Sequence, residues 1–116
     1  MFDFEKFPVY TKSEETYSLI TKNIFPKSFD RNLKDQLQRA STSIILNIAE
    51  GAGKYSKADK KNYYLTARGS VHECVAIIRI LKAEGIIDEK TYLEIYSMFE
   101  EISKMLSGLI NTFIKH

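Results

Sequence analysis

Hydrophobic residues recur along this chain at alternating spacings of three and four, which is the period of an amphipathic α-helix. The repeat is interrupted by proline, glycine or short polar stretches and predicts four helices, at 8–25, 30–52, 57–84 and 88–115. Pro26 ends the first helix, Gly51 and Gly53 are expected to end the second through a positive φ, and Gly85 ends the third. Ser56 and Asp88 are the predicted N-caps of helices three and four. Short connections between such helices predict an all-α, antiparallel up-down-up-down four-helix bundle, with residues 1–116 as one domain.

Each predicted helix has a seam of residues expected to face the core. In chain order the seams are Tyr10, Ser13, Tyr17, Ile20 and Ile24; Leu33, Leu37, Ala40, Ile44, Ile48 and Ala52; Tyr64, Ala67, Val71, Cys74, Ile78 and Leu81; and Tyr92, Ile95, Phe99, Ile102, Leu106, Leu109 and Phe113. The unbroken alternation in helix four is the strongest of these signals.

Helices two and three carry more apolar surface than one bundle core can cover. In 44–49 and in 74–81 the apolar residues extend around most of the helix, and a helix that is apolar on most sides is buried on most sides. We therefore expect a second buried face in an oligomer. The candidate interface residues are Ile45, Leu46, Ile77 and Ile80.

Composition is that of an ordinary globular domain. The 116 residues, 44% of them hydrophobic, suffice for a single core without disulfides or metal, and the only cysteine is Cys74. The first twenty residues lack the basic start and apolar run of a signal peptide, and no stretch reaches the roughly 18 apolar residues of a membrane span. A cytoplasmic protein with no membrane partner is expected.

Charge is small overall but unevenly distributed. Net charge is +2, yet residues 27–82 hold eleven Lys or Arg against five Asp or Glu, a balance of +6, while the flanking segments hold six against ten, a balance of −4. The basic region could contact phosphates of RNA or DNA through Lys54, Lys57, Lys60 and Lys61, with Arg31 and Lys34 as further candidates. A solvated helix surface would give the same count.

Polar residues beside the apolar seams form a second candidate group: Asn47, Glu50, Arg68 and Glu73. A buried Glu50 would need a cationic partner, which Arg68 or Arg39 could supply. We expect a structural polar network that fixes the packing of helices two and three or the register between subunits. A binding site built from the same residues, or plain surface exposure, are the alternatives.

Candidate catalytic and metal-binding patterns are absent from the sequence. A carboxylate di-iron bundle needs Glu-x-x-His pairs, and neither His72 nor His116 has a Glu three residues before it. Cys74 lies on the seam of helix three, where a small core residue is the expected role. The segment GAGKYSK at 51–57 lacks the strand and the Gly-Lys-Ser/Thr order of a phosphate-binding loop. We expect no enzymatic activity, no cofactor and no metal.

Several motifs resemble one bacterial family. These are QLQRASTSI at 36–44, NIAEG at 47–51, SKAD at 56–59, ARGS at 67–70 and Glu73. Together they resemble the four-helix bundle proteins encoded in intervening sequences of 23S ribosomal RNA genes, over about residues 5–113. That family is similar to the accessory variability protein of diversity-generating retroelements. The resemblance implies a ring-shaped homopentamer without enzymatic activity.

Two classes of function follow. The first is a scaffold or interaction module that presents its surface to a protein partner, and the extra apolar area of helices two and three favours it. The second is a nucleic-acid-binding accessory protein, in which the basic hairpin of helices two and three contacts phosphates and a reverse transcriptase is a partner.

Overall fold

The computed structural model describes residues 1–114, which form a short 3₁₀ helix and four α-helices. The 3₁₀ helix spans Asp3–Lys6, and the α-helices are α1 (Pro8–Asn23), α2 (Arg31–Ala52), α3 (Lys57–Ala83) and α4 (Glu89–Asn111). No strand occurs in this part of the chain. The predicted all-α four-helix bundle is confirmed. α4 ends at Asn111, four residues before the predicted end at 115, and residues 112–114 form a turn. Residue 115 and His116 lie outside the described residues.

The helices occupy the corners of a square. α2 packs against α1 and α3, and α4 packs against α3 and α1, whereas the diagonal pairs do not approach each other within the described residues. Consecutive helices are antiparallel neighbours because their connections are short. As a result the 3₁₀ helix, the α2–α3 turn and the last turn of α4 lie together at one end of the bundle.

Side-chain caps define where three helices begin. Asp30, Ser56 and Asp88 accept hydrogen bonds from the backbone N–H groups of Leu33, Asp59 and Thr91 at 3.0, 3.1 and 2.8 Å. Each bond satisfies a donor that has no partner within its own helix. The predicted N-caps Ser56 and Asp88 are confirmed.

The glycines near the end of α2 have a different role from the one predicted. α2 continues through Gly51 to Ala52, and Gly53 at its C-cap has a φ of −84°, so neither leaves the helix through a positive φ. Gly51 is buried where α2 meets α3: a Cβ there would lie 2.9 Å from Tyr63 Cβ and 2.9 Å from Tyr64 Cε1. Among residues 1–114, Gly85, which follows α3, is the one residue with a positive φ, of 73°.

The core follows the predicted seams most closely in α3. All six predicted residues of α3 are buried, including Cys74, and so are the first five of α4. At the end of α4, Ile110 is buried, and Leu109 and Phe113 only partly so. In α2, Ser41 and Gly51 are buried in addition to most of the predicted seam, whereas Leu33 and Ala52 are only partly buried.

The buried face of α1 includes Ser13, Ile20 and Ile24 of the predicted seam but differs at two positions, where Val9 and Thr16 take the places of Tyr10 and Tyr17. Val9, Ser13, Thr16 and Ile20 are buried, whereas Tyr10 and Tyr17 are only partly so. The buried hydroxyls are satisfied locally: Ser13 Oγ donates to Val9 O and Thr16 Oγ1 donates to Lys12 O, both at 2.7 Å. Because short hydroxyl side chains can bond within their own helix, they can face a core that has no other polar partner.

Candidate interaction surfaces

The four polar residues predicted to form one network do not come together within the chain. Glu50 is exposed and forms an ion pair with Lys54 one turn later, at 3.3 Å. Arg68 contacts α4 instead of Glu50, and its Nη1 donates to Ser107 Oγ at 3.2 Å. Glu73 is exposed. No hydrogen bond or ion pair joins any two of these four residues within residues 1–114, so they do not form a network that fixes the packing of α2 on α3 in the single chain.

A smaller polar cluster joins α2 to α3 instead. Asn47 Nδ2 donates to Ser43 O at 2.8 Å and to Ser43 Oγ at 2.9 Å, and Ser70 Oγ donates to Ser43 Oγ at 2.9 Å. Only Asn47 was a candidate from the sequence. The spacing of Ser43 and Asn47, four residues apart on one helix face, is the signal that could have identified the pair.

Two of the four lysines at the α2–α3 turn have partners within the chain. Lys60 Nζ donates to Ala52 O at 2.9 Å and so caps the C-terminal end of α2. Lys54 lies between the Glu50 carboxylate and the Tyr63 ring, whose centroid is 5.2 Å from Nζ. The hydrogen bond to Glu50 raises the pKa of Lys54 above its ordinary value, and the amine stays charged.

The other two lysines, Lys57 and Lys61, form no ion pair within residues 1–114. Lys57 is exposed and Lys61 partly buried. Tyr55, at the tip of the same turn, is fully exposed. The turn thus presents two unpaired cations beside an aromatic ring.

Lys34, a further candidate for phosphate contact, is occupied. Its Nζ donates to Phe25 O at 2.9 Å and to Lys27 O at 2.8 Å, and it lies 4.9 Å from the centroid of the Phe29 ring. It satisfies carbonyl groups in the connection between α1 and α2. These two bonds engage two of the three N–H donors of Lys34, so it is a weaker candidate for phosphate contact than the exposed Arg31.

Apolar side chains remain on the outer surfaces of α2 and α3. On α2, Leu46 is 65% exposed and Ile45 is partly buried. Leu46 and Ala49 line an open groove of about 570 Å³ together with Phe2 and Phe4 of the N-terminal segment. Leu65 and Ile80 of α3 are 37% and 42% exposed.

One of the four predicted interface residues is not available. Ile77 is only 3% exposed and belongs to the core of its own chain, so its assignment to an oligomer interface is wrong. Ile77 and Ile80 are three residues apart and about 60° apart around the helix, enough to place one at the edge of the core and the other outside it.

Candidate chemistry is limited in the described residues. Burial, with a smaller effect of the nearby Glu73 carboxylate, raises the pKa of the Cys74 thiol far above its ordinary value, and the thiolate needed for reactivity is disfavoured. Within residues 1–114, no group of three or more His, Cys, Asp and Glu side chains could hold a metal ion. None of the described helices is both long and apolar enough to span a membrane.

Comparison with known proteins relates this chain to one family and to solved structures. The sequence profile of the 23S rRNA-intervening sequence protein family matches residues 5–108. A solved structure at 1.70 Å resolution, of a protein with unknown function from the S23 ribosomal protein family of Bacteroides thetaiotaomicron VPI-5482, superposes with a TM-score of 0.75. The two chains are 28% identical, and the match covers 88% of this chain and 97% of the other. The search of curated proteins found no match.

Proposed function

This chain belongs to the 23S rRNA-intervening sequence protein family, and from that premise we propose that it is a non-enzymatic, homo-oligomeric scaffold or interaction module of the cytoplasm. The observation that carries the proposal is the apolar outer surface of α2 and α3. Leu46 and Ile80 are 65% and 42% exposed in the single chain, although the core beneath them is complete. Leu46 shares one groove with Ala49, Phe2 and Phe4, and contiguous apolar surface of this kind marks contact sites.

Assembly through these surfaces would leave the rest of the bundle in water. The outward residues of α1 include Thr11, Glu14, Ser18 and Lys22, all of them exposed. Such a surface gains nothing from burial, since each charge would lose its hydration. The proposed assembly is a ring of five subunits, which the motif resemblance supports.

Leu46→Ser tests the contribution of α2. If Leu46 is buried between subunits, removing its burial costs about 1.5–3 kcal/mol at each interface, which weakens association at least about tenfold. The matched control is Leu93→Ser, because Leu93 is 52% exposed on α4. Native mass, measured by light scattering over a dilution series, should fall for Leu46→Ser and stay unchanged for Leu93→Ser. A wild-type chain that is monomeric throughout the series would refute the scaffold proposal.

A second candidate function is nucleic-acid binding at the α2–α3 turn. Lys57 and Lys61, which form no ion pair with the described residues 1–114, favour it, as does the fully exposed ring of Tyr55. Lysine side chains neutralise phosphates, and an exposed aromatic ring can stack on an unpaired base. In an oligomer the turn would be repeated by symmetry. A reverse transcriptase is the proposed protein partner in this case.

A salt titration with the double variant Lys57→Gln/Lys61→Gln tests this candidate. Binding of single- and double-stranded RNA and DNA should weaken, and the slope of log K against log salt should drop by about 0.9 for each phosphate of duplex DNA that the variant no longer neutralises. Lys22→Gln/Lys104→Gln removes the same charge from exposed positions on α1 and α4 and should bind like wild type. An equal reduction of binding in both double variants would indicate only a general charge effect.

A further inference from the structure

One whole side of α3, opposite its buried seam, carries no charged residue. Eight exposed residues at spacings of three and four make up this outer stripe of α3: Ala58, Asn62, Leu65, Gly69, His72, Ala76, Ile80 and Ala83. The stripe runs the length of a 27-residue helix. A helix that faces only solvent normally carries its charges on this side.

Gly69, near the middle of the stripe, has no evident role in the single chain. A Cβ built there meets no atom within 4 Å, and its φ is not positive. Glycine inside a helix costs about 1 kcal/mol relative to alanine. The cost would be offset if another helix packed directly against this position.

Charges of opposite sign line the two edges of the stripe. Lys61, Arg68 and Arg79 lie along the edge nearer α4, to which Arg68 is bonded through Ser107. Asp59 and Glu73 lie along the other edge, and Glu84 follows at the C-cap of the helix. The stripe is therefore an uncharged seam with a basic edge and an acidic edge.

We propose that the outer stripe of α3 packs against α3 of a second copy of this chain, with the two helices parallel around a rotational symmetry axis. Arg68 of one copy then pairs with Glu73 of the next, and Arg79 with Glu84 at the same offset of five residues. The inference rests on the proposed homo-oligomer and names its interface, whatever the number of subunits.

The charges decide the direction of packing. When two parallel helices face each other across a rotation axis, the right edge of one meets the left edge of the other, so basic residues meet acidic ones. In antiparallel packing the basic edge of one helix meets the basic edge of the other, so Arg68 lies near other basic groups. Flanking charges are known to set the orientation of paired helices in this way.

Arg68 and Glu73 of the same copy cannot make this pair. Five residues along an α-helix correspond to a rotation of about 140°, so the two side chains point to opposite edges of the stripe. Both side chains are available for a pair between copies, because Glu73 is exposed and Arg68 forms a single hydrogen bond, of 3.2 Å, to the described part of its own chain.

Cross-linking of Ala76→Cys tests the parallel arrangement in the full chain. In parallel packing Ala76 lies next to Ala76 of the neighbour, and a short thiol-reactive cross-linker should join most chains into dimers or larger species. The buried Cys74 provides a low background. Ser97→Cys, at an exposed position on α4, is the matched control and should remain uncross-linked.

Four outcomes separate this inference from the proposed function. Self-cross-linking of Ala76→Cys in a sample of oligomeric native mass supports both. An oligomeric mass without that cross-link overturns the inference and leaves the homo-oligomer standing. Cross-linking only in a mixture of Leu65→Cys with Ala76→Cys also overturns it, because that pattern requires antiparallel helices. A monomeric mass without cross-linking overturns both.

Charge reversal supplies an independent readout. Arg68→Glu should lower the oligomeric fraction at least tenfold, and the double variant Arg68→Glu/Glu73→Arg should restore it. Both variants lack the Ser107 hydrogen bond equally, so its absence cannot produce the recovery. Failure of the double variant to recover, with the native fold intact by circular dichroism, would overturn the Arg68–Glu73 pair.

Discussion

At the scale of single residues, Gly51 shows how a close approach can require glycine without any special backbone angle. It lies inside α2, and the space that a Cβ would occupy is already taken by Tyr63 and Tyr64 of α3. Both contacts would be at 2.9 Å, closer than carbon atoms pack in proteins. Gly51 therefore allows α2 and α3 to meet at the turn end of the bundle.

Gly51→Ala should accordingly destabilise the protein. The added methyl group gains helix propensity, but overpacking against two tyrosines costs about 1–3 kcal/mol. Gly108→Ala is the matched control, because a Cβ at Gly108 meets no atom within 4 Å, and it should stabilise by up to about 1 kcal/mol. Urea unfolding at a fixed protein concentration measures both. Stabilisation of equal size in the two variants would show that α3 moves away freely.

Lys34 and Lys60 show a second effect at this scale. Both are cations in the basic region, yet the Lys34 amine is bonded to carbonyl groups of the α1–α2 connection and the Lys60 amine to the last carbonyl group of α2. Carbonyl groups in the last turn of a helix lack partners within the helix, and a cation there is also favoured by the helix dipole. Such lysines contribute to net charge but are less free to bind phosphate.

At the scale of elements, the start of α4 depends on one carboxylate. Asp88 accepts a hydrogen bond from the Thr91 backbone N–H at 2.8 Å. Hydrogen bonds from Thr91, and to a smaller extent the charges of Lys27 and Lys90, hold the pKa of Asp88 below its ordinary value of 3.8. The folded protein thus favours the ionised form of this cap.

The sign of the resulting pH dependence follows from the direction of the shift. The folded-state pKa of Asp88 is lowered, so its contribution to stability is complete above pH 3.8 and is lost as the pH falls through the lower folded-state value. Asp88→Asn keeps an acceptor without the proton equilibrium and should lose less stability in acid than wild type. Asp88→Ala should be less stable at neutral pH as well. Thermal melts at neutral and acidic pH measure the three proteins, and identical acid dependence of wild type and Asp88→Asn would contradict the assignment.

α1 illustrates how an element can bury a face that is not its most apolar one. The predicted seam was right at Ser13, Ile20 and Ile24, but Val9 and Thr16 face the core in place of Tyr10 and Tyr17. The tyrosines lie at the boundary, where Tyr10 packs on the Phe4 ring at 4.8 Å between centroids and Tyr17 on the Phe25 ring at 6.3 Å. An aromatic ring that carries a hydroxyl is well placed at such a boundary, because its ring is apolar and its oxygen stays in water.

At the scale of the whole molecule, polarity is divided between two sides of the bundle. The outward residues of α1 are mainly polar or charged, whereas α2 exposes Leu46 and α3 exposes its uncharged stripe. The complete core beneath these surfaces means that folding of the single chain does not account for their apolar character. Contacts with other molecules on the α2–α3 side are the proposed explanation.

The excess of basic residues in 27–82 must also be judged from contacts in the whole molecule. The +6 balance of residues 27–82 was the first indication of an anionic partner, but Lys34, Lys54, Lys60 and Arg68 each have a partner within the chain. Lys82 also pairs with Glu89. Of the basic residues without an ion pair in the described part of the chain, Lys57 and Lys61 lie near the α2–α3 turn, whereas Lys27, Arg31, Arg39 and Arg79 lie elsewhere. Symmetry in an oligomer would multiply each of these cations. The proposed assembly and the second candidate function are therefore linked, because both involve several copies of this chain arranged by symmetry.

The sequence by itself determined the helices, two of their N-caps, the buried seam of α3 and the family resemblance, because these depend on local periodicity and on short motifs. Only the tertiary structure decided that Ile77 is in the core while Ile80 is outside, that Glu50 is exposed, and that Gly51 lies against Tyr63 and Tyr64. Periodicity locates the centre of an apolar stripe on a helix, but it does not decide whether the residues at the edges of the stripe are buried. Which side of that stripe is buried depends on where the adjacent helices lie, and that is settled by packing between residues distant in the chain.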